Sequence, residues 1–516
     1  MSSQEKIKVV SRDKIKNFLF LFGYFLLLFN IAFIFNIIAI RKKTNLKEEP
    51  FQLTIDEFKD AKEYFKNSKK KVKITFWHNL YAEERKVLNK IIQDFEKDYP
   101  GIEVLEDNKG NWGQIFKHVS NALTVDKQPN LVVSYPDHVG FYHKSNKVLP
   151  LDAFIDKDED FKNNKQNDFL PYYFAPIQIE DKIKHYYYLP FLKTTEIMFY
   201  NKDLLKSIHD KIPELINDKG EIAKDSLSWV QMDEISKILK DSNKKDFIPI
   251  VVDSESNLFI ISTQQKGINY PLTKEQTQDF LHNSEVQELL QEFKTRYDNK
   301  HLTLGKLTGE EDKVPELLIN NNIAFYITST RRLDNLCIDN AFIPKLGYTN
   351  VPTVNSESNK NILQGSNVNL FYSKNKDEML ASWFFLKHLT SEDVYKDFLK
   401  ENKFFNITRQ ASITQVKDRI NEIESEINKK LTDSNKEETN KLKLRKEFLE
   451  KFILQNANSQ ESQKNFFTIY VFENSDFFIN IIADLFIEVL MIDKNLNDKD
   501  TDARIKELLT EAINRI

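Results

Sequence analysis

The sequence predicts an α/β layer fold with a largely parallel sheet, divided into two units of similar size and preceded by one membrane-spanning helix. Three observations predict it. Strand-like and helix-like patterns alternate from residue 71, the alternation resumes after residue 186, and residues 18–40 are almost wholly apolar.

The apolar run comes first. As a helix its 23 residues reach roughly 34 Å, enough for a bilayer core of about 30 Å. It ends NIIAIR rather than in small residues, so the expectation is a retained anchor and not a cleaved signal peptide. Residues 1–17 form a basic cytoplasmic segment, and residues 41–70 a polar, lysine-rich linker with one helix around 55–65. The bulk of the chain is then extracellular, held at the cell membrane by a single pass. The apolar stretch 477–491 carries Asp484 and Glu488 and reads as a buried core helix.

The folded part is expected from Lys71. KVKITFW at 71–77 alternates as a half-buried strand. Residues 82–99 place Val87, Leu88, Ile91, Ile92 and Phe95 on one helical face, Pro100 and Gly101 end that helix, and 102–105 resume as a strand. A helix over 114–123 and a buried strand over 131–135 follow. Further strands are expected at 186–189, 196–200, 247–252, 322–327 and 368–372, with helices at 229–239 and 276–293. Residues 414–462 differ in texture: charged, with Val416, Ile420, Ile423 and Ile427 at helical spacing, they predict a solvated helical hairpin broken near Ser434.

Composition removes several functions. The 516 residues include 74 basic and 78 acidic side chains, a net charge of −4, so no global field favours nucleic acid. Only 11 glycines are present, and no G-x-G-x-x-G, phosphate loop or G-x-S-x-G elbow occurs. The single cysteine, Cys337, excludes intrachain disulfides and multi-thiolate zinc sites. The nine histidines form no H-E-x-x-H, so neither a metal, a cofactor nor a catalytic residue is expected. What remains are aromatic, amide and acidic residues near strand ends: Trp77, Trp112 and the Tyr135-Pro-Asp137 turn. Aromatic faces stack on sugar rings and carboxylates or amides fix hydroxyls, which suits a sugar or polyol pocket.

Several stretches resemble the extracellular solute-binding proteins of ABC importers, in the branch with maltose-binding and glycerol-3-phosphate-binding proteins. They are ITFWHN at 74–79, FEKDYPG at 95–101, QPNLV at 128–132, VLPLD at 148–152 and, most specifically, LPFLKTTEIMFYNKDL at 189–204. NIAFYITST at 322–330, WFFLKHLT at 383–390 and FFNITR at 404–409 follow in the same order. The resemblance implies a two-lobed periplasmic-binding-protein clamshell of type II. Lobe 1 is then residues 71–194 and 369–402, and lobe 2 is 195–368 and 403–516, with the insertion 414–462 outside the likeness. It also implies a small-molecule solute (sugar, polyol or glycerol phosphate), permease subunits with their ATPases as partners, and no enzymatic activity. Carried over by position, the ligand contacts are Trp112, Asp137, Thr194, Ser329, Thr330, Gly365 and Phe404, with Trp77 added from the first strand end. The phosphate-pairing arginine of the glycerol-phosphate branch has no counterpart in IYVFEN at 469–474, so a phosphate ligand would need Arg331 or Arg332 in its place. Two other readings stay open: an anchored surface glycoside hydrolase with dispersed carboxylates, and a clamshell-derived adhesin or scaffold without a small-molecule ligand.

Overall fold

The computed structural model describes residues 51–162, 168–179, 183–243, 247–354, 358–401, 403, 405–430, 436–458 and 464–516, apart from the side chains of Gln455 and Asn458. The expected membrane span at 18–40, its flanks and Phe404 lie outside these residues. Among the described residues no helix is long and apolar enough to cross a membrane.

One ten-stranded sheet runs through the described chain in the order β2-β1-β3-β9-β4-β7-β5-β6, with β8 on β4 and β10 on β9. Its first part is β1 (Val72–His78), β2 (Ile102–Asn108) and β3 (Leu131–Ser134), all parallel. Its other end is β5 (Ile250–Val252), β6 (Leu302–Leu304) and β7 (Phe325–Ser329), again parallel. Two long antiparallel strands join these ends: β4 (Tyr188–Asn201) and β9 (Asn361–Leu370). The remaining strands are β8 (Leu346–Thr349) and β10 (Phe466–Phe467). The α/β class and parallel character expected from the pattern are present; within this sheet the antiparallel pairs are those made by the crossing strands, including β8 on β4, and a separate two-stranded antiparallel sheet joins Ile177–Gln178 to Lys184–His185.

β4 corrects the expectation of separate strands at 186–189 and 196–200. Its fourteen residues are buried throughout, although Lys193, Thr194, Thr195 and Glu196 interrupt the apolar pattern. The lysine fits because its ammonium donates to Gly365 O at 3.3 Å and Asn367 Oδ1 at 3.2 Å of the neighbouring strand. Gly365 sits at φ +88°, where a Cβ would stand 2.4 Å from Leu192 O, so only glycine lets the two strands approach there. The ladder slips between Gly365 and Asn367 at this point.

Helices cover both faces. α1 (Ile55–Asn67) falls in the expected linker, yet it buries Phe58 and Phe65 against Phe384, with ring centroids 5.2 and 6.0 Å apart. The folded unit therefore starts at Gln52 rather than Lys71. α2 (Ala82–Asp98) packs Phe95 on Phe385, and α3 (Trp112–Thr124) begins in a reciprocal cap between Asn111 and Gln114. α4 (His138–Lys144) follows β3. At the other end α5 (Trp229–Asp241), α6 (Glu255–Gln265), α7 (Ser284–Asp298) and α10 (Ser475–Leu490) enclose Trp229, Phe259, Phe293 and Phe486. Residues 477–490 thus belong to a core helix, as their two acidic residues implied. The expected hairpin forms as α8 (Ser412–Lys430) and α9 (Lys436–Phe448), continued by a π-helical turn over Leu449–Leu454. Val416, Ile420, Ile423 and Ile427 are its buried stripe, and Phe448 meets Tyr348 of β8 edge-on at 5.2 Å.

Candidate functional site

A cavity of about 130 Å³ lies where the carboxyl ends of the parallel strands from both ends of the sheet face each other across β4 and β9. This is the position at which open α/β sheets bind ligands, because loops there carry side chains that no ladder consumes. Tyr81 follows β1, Trp112 follows β2 and Tyr135 follows β3. On the opposite side Asp253 follows β5, while Arg331 and Arg332 follow β7, which ends in Ser329. Thr194, Gly365 and Ser366 of the crossing strands form the floor.

The first side is aromatic. The Asn111 cap places Trp112 at the first position of α3, and its indole stacks on Tyr135 with centroids 3.8 Å apart and planes at 22°. The Tyr135 hydroxyl is driven far above its ordinary range by burial, so it stays protonated. The second side is charged. Asp253 accepts from Thr328 Oγ1 at 2.6 Å and lies 3.5 Å from the Arg332 guanidinium.

One ion pair ties the two sides together. The backbone N–H of Tyr81 donates to Glu84 Oε2 at 2.8 Å, which fixes this carboxylate in the first turn of α2. Arg331 then donates to both oxygens of Glu84, through Nε at 2.9 Å and through Nη2. Its guanidinium also lies over the Tyr81 ring, 3.8 Å from the centroid. Arg331 and Glu84 side chains are 15% and 3% exposed, so the pair is desolvated, and the two planar groups match as a bidentate fork. Both arginines that border the cavity are thereby engaged by carboxylates.

Of the residues expected from the sequence, Trp112, Thr194, Ser329 and Gly365 line this cavity. Thr330 is buried behind it, its hydroxyl 3.5 Å from the backbone N–H of Thr195. Trp77 is not brought to the cavity; Lys109 covers its ring with the ammonium 4.2 Å from the centroid. Asp137 is also elsewhere, at the start of α4 in contact with the α10 segment, where Ser475 Oγ donates to its backbone carbonyl at 2.9 Å. Burial raises its carboxyl to about 7. The sequence reading left out Tyr81, Glu84, Asp253 and Ser366. Asp253 carried a usable signal, being the polar residue directly after an apolar strand. Among the described residues no cluster of three His, Cys, Asp or Glu could hold a metal ion.

Residues 90–419 match the family described as bacterial extracellular solute-binding protein. Among characterised relatives, the maltotriose-binding protein of Pyrococcus abyssi is 26% identical over 163 residues, 29% of this chain and 33% of its own length. The sn-glycerol-3-phosphate-binding periplasmic protein UgpB of Escherichia coli K12 is 24% identical over 134 residues, 26% of this chain and 30% of its own. The chain thus spans about a third of the length of these relatives. Similar folds include the Listeria monocytogenes substrate-binding protein Lmo0181 in complex with cycloalternan, with a TM-score of 0.62 and 15% identity over 86% of this chain and 99% of that one. Maltose-bound MalE3 of T. maritima also scores 0.62, at 16% identity over 86% of this chain and all of that one. These likenesses establish the mixed α/β, two-lobed architecture of the maltose-binding type. With the match extending over most of its length, the chain belongs to the bacterial extracellular solute-binding proteins.

Proposed function

We propose that this chain is the solute-capturing subunit of an ABC importer and that its ligand is a small uncharged sugar or polyol held in the cavity between the strand ends. The observation that carries this reading is the Glu84–Arg331 pair, which joins the two sides of a cavity lined by aromatic rings and hydroxyls. The aromatic side offers faces for a sugar ring, and Thr194, Ser329, Ser366 and Asp253 offer partners for its hydroxyls. A phosphate is disfavoured because the charge of Arg331 is already paired with Glu84 and that of Arg332 with Asp253. In this reading the lobes are 71–194 with 369–402, on which α1 packs, and 195–368 with 403–516, and ligand favours the form in which both contact it. That form docks on permease subunits whose ATPases drive import. Residues 18–40 anchor the chain in the membrane with the folded unit outside. The name of the Pyrococcus abyssi relative, maltotriose-binding, supports a solute of this class.

The test is a thermal-shift panel of monosaccharides, short oligosaccharides, polyols and glycerol phosphates against residues 52–516. A cognate solute at 100 times its dissociation constant adds about 2.7 kcal/mol of stability. The reading expects stabilisation by at least one neutral member. Stabilisation by glycerol phosphate alone would move the ligand class, and no response from any member would refute solute capture.

A further inference from the structure

A second cavity, of about 710 Å³, lies far from the strand ends that build the first. Its floor is the far end of β4 with its partner β8, represented by Tyr200 and Tyr348, and one wall is β10 with Phe466. The facing wall comes from the insertion: Leu444 and Glu447 of α9, then Lys451, Phe452 and Asn456 in and after the π-helical turn. Those five residues all follow residue 419, where the family match ends. One wall of the cavity is therefore supplied by the insertion, and the cavity shares no lining residue with the first.

We infer that this second cavity is a binding site for a neutral oligosaccharide. Three features of its lining point there. Four rings, Tyr200, Tyr348, Phe452 and Phe466, provide apolar faces of the kind that sugar rings cover. Five asparagines, Asn350, Asn359, Asn361, Asn456 and Asn465, stand among them, each carrying both a donor and an acceptor, the combination that hydroxyl groups satisfy. The charges cancel: three lysines face three carboxylates, with Lys202 3.4 Å from Glu221 and Lys451 2.7 Å from Glu447, so no net field selects an ion.

The lining draws on both sides of the cavity: Tyr348 stands on the sheet wall and Asn456 on the insertion wall. The π-helical turn adds a further sign, since such turns cost regular hydrogen bonding and are frequent at functional sites. The volume falls within the 300–1,000 Å³ typical of ligand sites and exceeds that of the first cavity several-fold, which favours an oligosaccharide over a single ring.

The test is a glycan array bearing neutral and anionic oligosaccharides, probed with the labelled full-length chain in detergent. Trp112→Ala removes the aromatic face of the first cavity, and Phe466→Leu or Asn465→Leu is added to it singly. The inference expects the Trp112→Ala chain to retain at least one neutral oligosaccharide, and each added substitution to lower that signal at least tenfold. It is overturned if Trp112→Ala retains no neutral oligosaccharide, if only anionic glycans are retained, or if neither added substitution weakens retention. Both added positions are only partly buried and receive an apolar side chain of similar bulk, so a loss confined to one still reads on the site.

Discussion

The two sides of the first cavity are built from the same kind of unit, the carboxyl ends of parallel strands, yet they carry different chemistry. One side contributes rings: Tyr81, Trp112 and Tyr135. The other contributes charge and hydroxyls: Asp253, Ser329, Arg331 and Arg332. Stacking tolerates sliding, whereas hydrogen bonds demand fixed geometry, so the aromatic side is suited to receive a ring and the charged side to select its hydroxyl pattern. The division also explains the Glu84–Arg331 pair. Without a partner on the aromatic side, Arg331 would be a buried cation, and Glu84 supplies one carboxylate from that side.

The largest expected effect follows from removing that partner. Glu84→Ala leaves the guanidinium unpaired and loses the brace on Tyr81, at a cost of about 3–5 kcal/mol in denaturant unfolding. The Glu84→Ala/Arg331→Ala double variant should recover part of the loss, giving a coupling energy above about 1 kcal/mol. Additive losses would break the link between the two sides. Next in size, Gly365→Ala forces a Cβ to within 2.4 Å of Leu192 O at positive φ in the crossing strands, a loss of roughly 2–4 kcal/mol. An unchanged melting temperature would show that β4 and β9 need no close approach.

Glu196 in β4 gives a pH signature. Burial raises its carboxyl from 4.5 to about 7, although Asn257 Nδ2 donates to it at 2.7 Å. The folded value lies above the unfolded one, so its contribution to stability is fully present below about pH 4.5 and is lost as pH rises through 7. Glu196→Gln keeps an acceptor for Asn257 and removes the ionisation. Its stability relative to the parent should therefore climb from pH 4.5 to pH 8, by at most about 3 kcal/mol. A difference independent of pH would mean that the carboxylate is solvated. The smallest effect is on binding: Trp112→Ala should weaken a neutral solute about tenfold, some 1.4 kcal/mol, with little change in unfolding.

These residues also show what was legible in the sequence. β1, α2 and β2 were plain because alternation and helical spacing are local signals, and Trp112, Thr194, Ser329 and Gly365 could be placed through a resemblance in the segments around them. β4 read as two strands because Lys193 and Glu196 interrupt it, and their partners Asn367 and Asn257 are distant in sequence. α1 read as linker because its lysines and acids mask Phe58 and Phe65, which become core only once Phe384 is beside them. Glu84 was invisible as a site residue because Arg331 lies 247 positions away. Trp77 and Asp137 were drawn in by their position at strand ends, but one ring is covered by Lys109 and the other residue is turned toward α10.

The central claim is capture of a solute between the aromatic and charged sides, and calorimetric titration tests it most directly. The neutral sugar or polyol that stabilises residues 52–516 most strongly would be titrated into the parent, Trp112→Ala and Asp253→Asn, one substitution from each side. The account predicts saturable binding to the parent at the cleft and at least tenfold weaker binding to both variants. Equal affinity in the parent and both variants would contradict it.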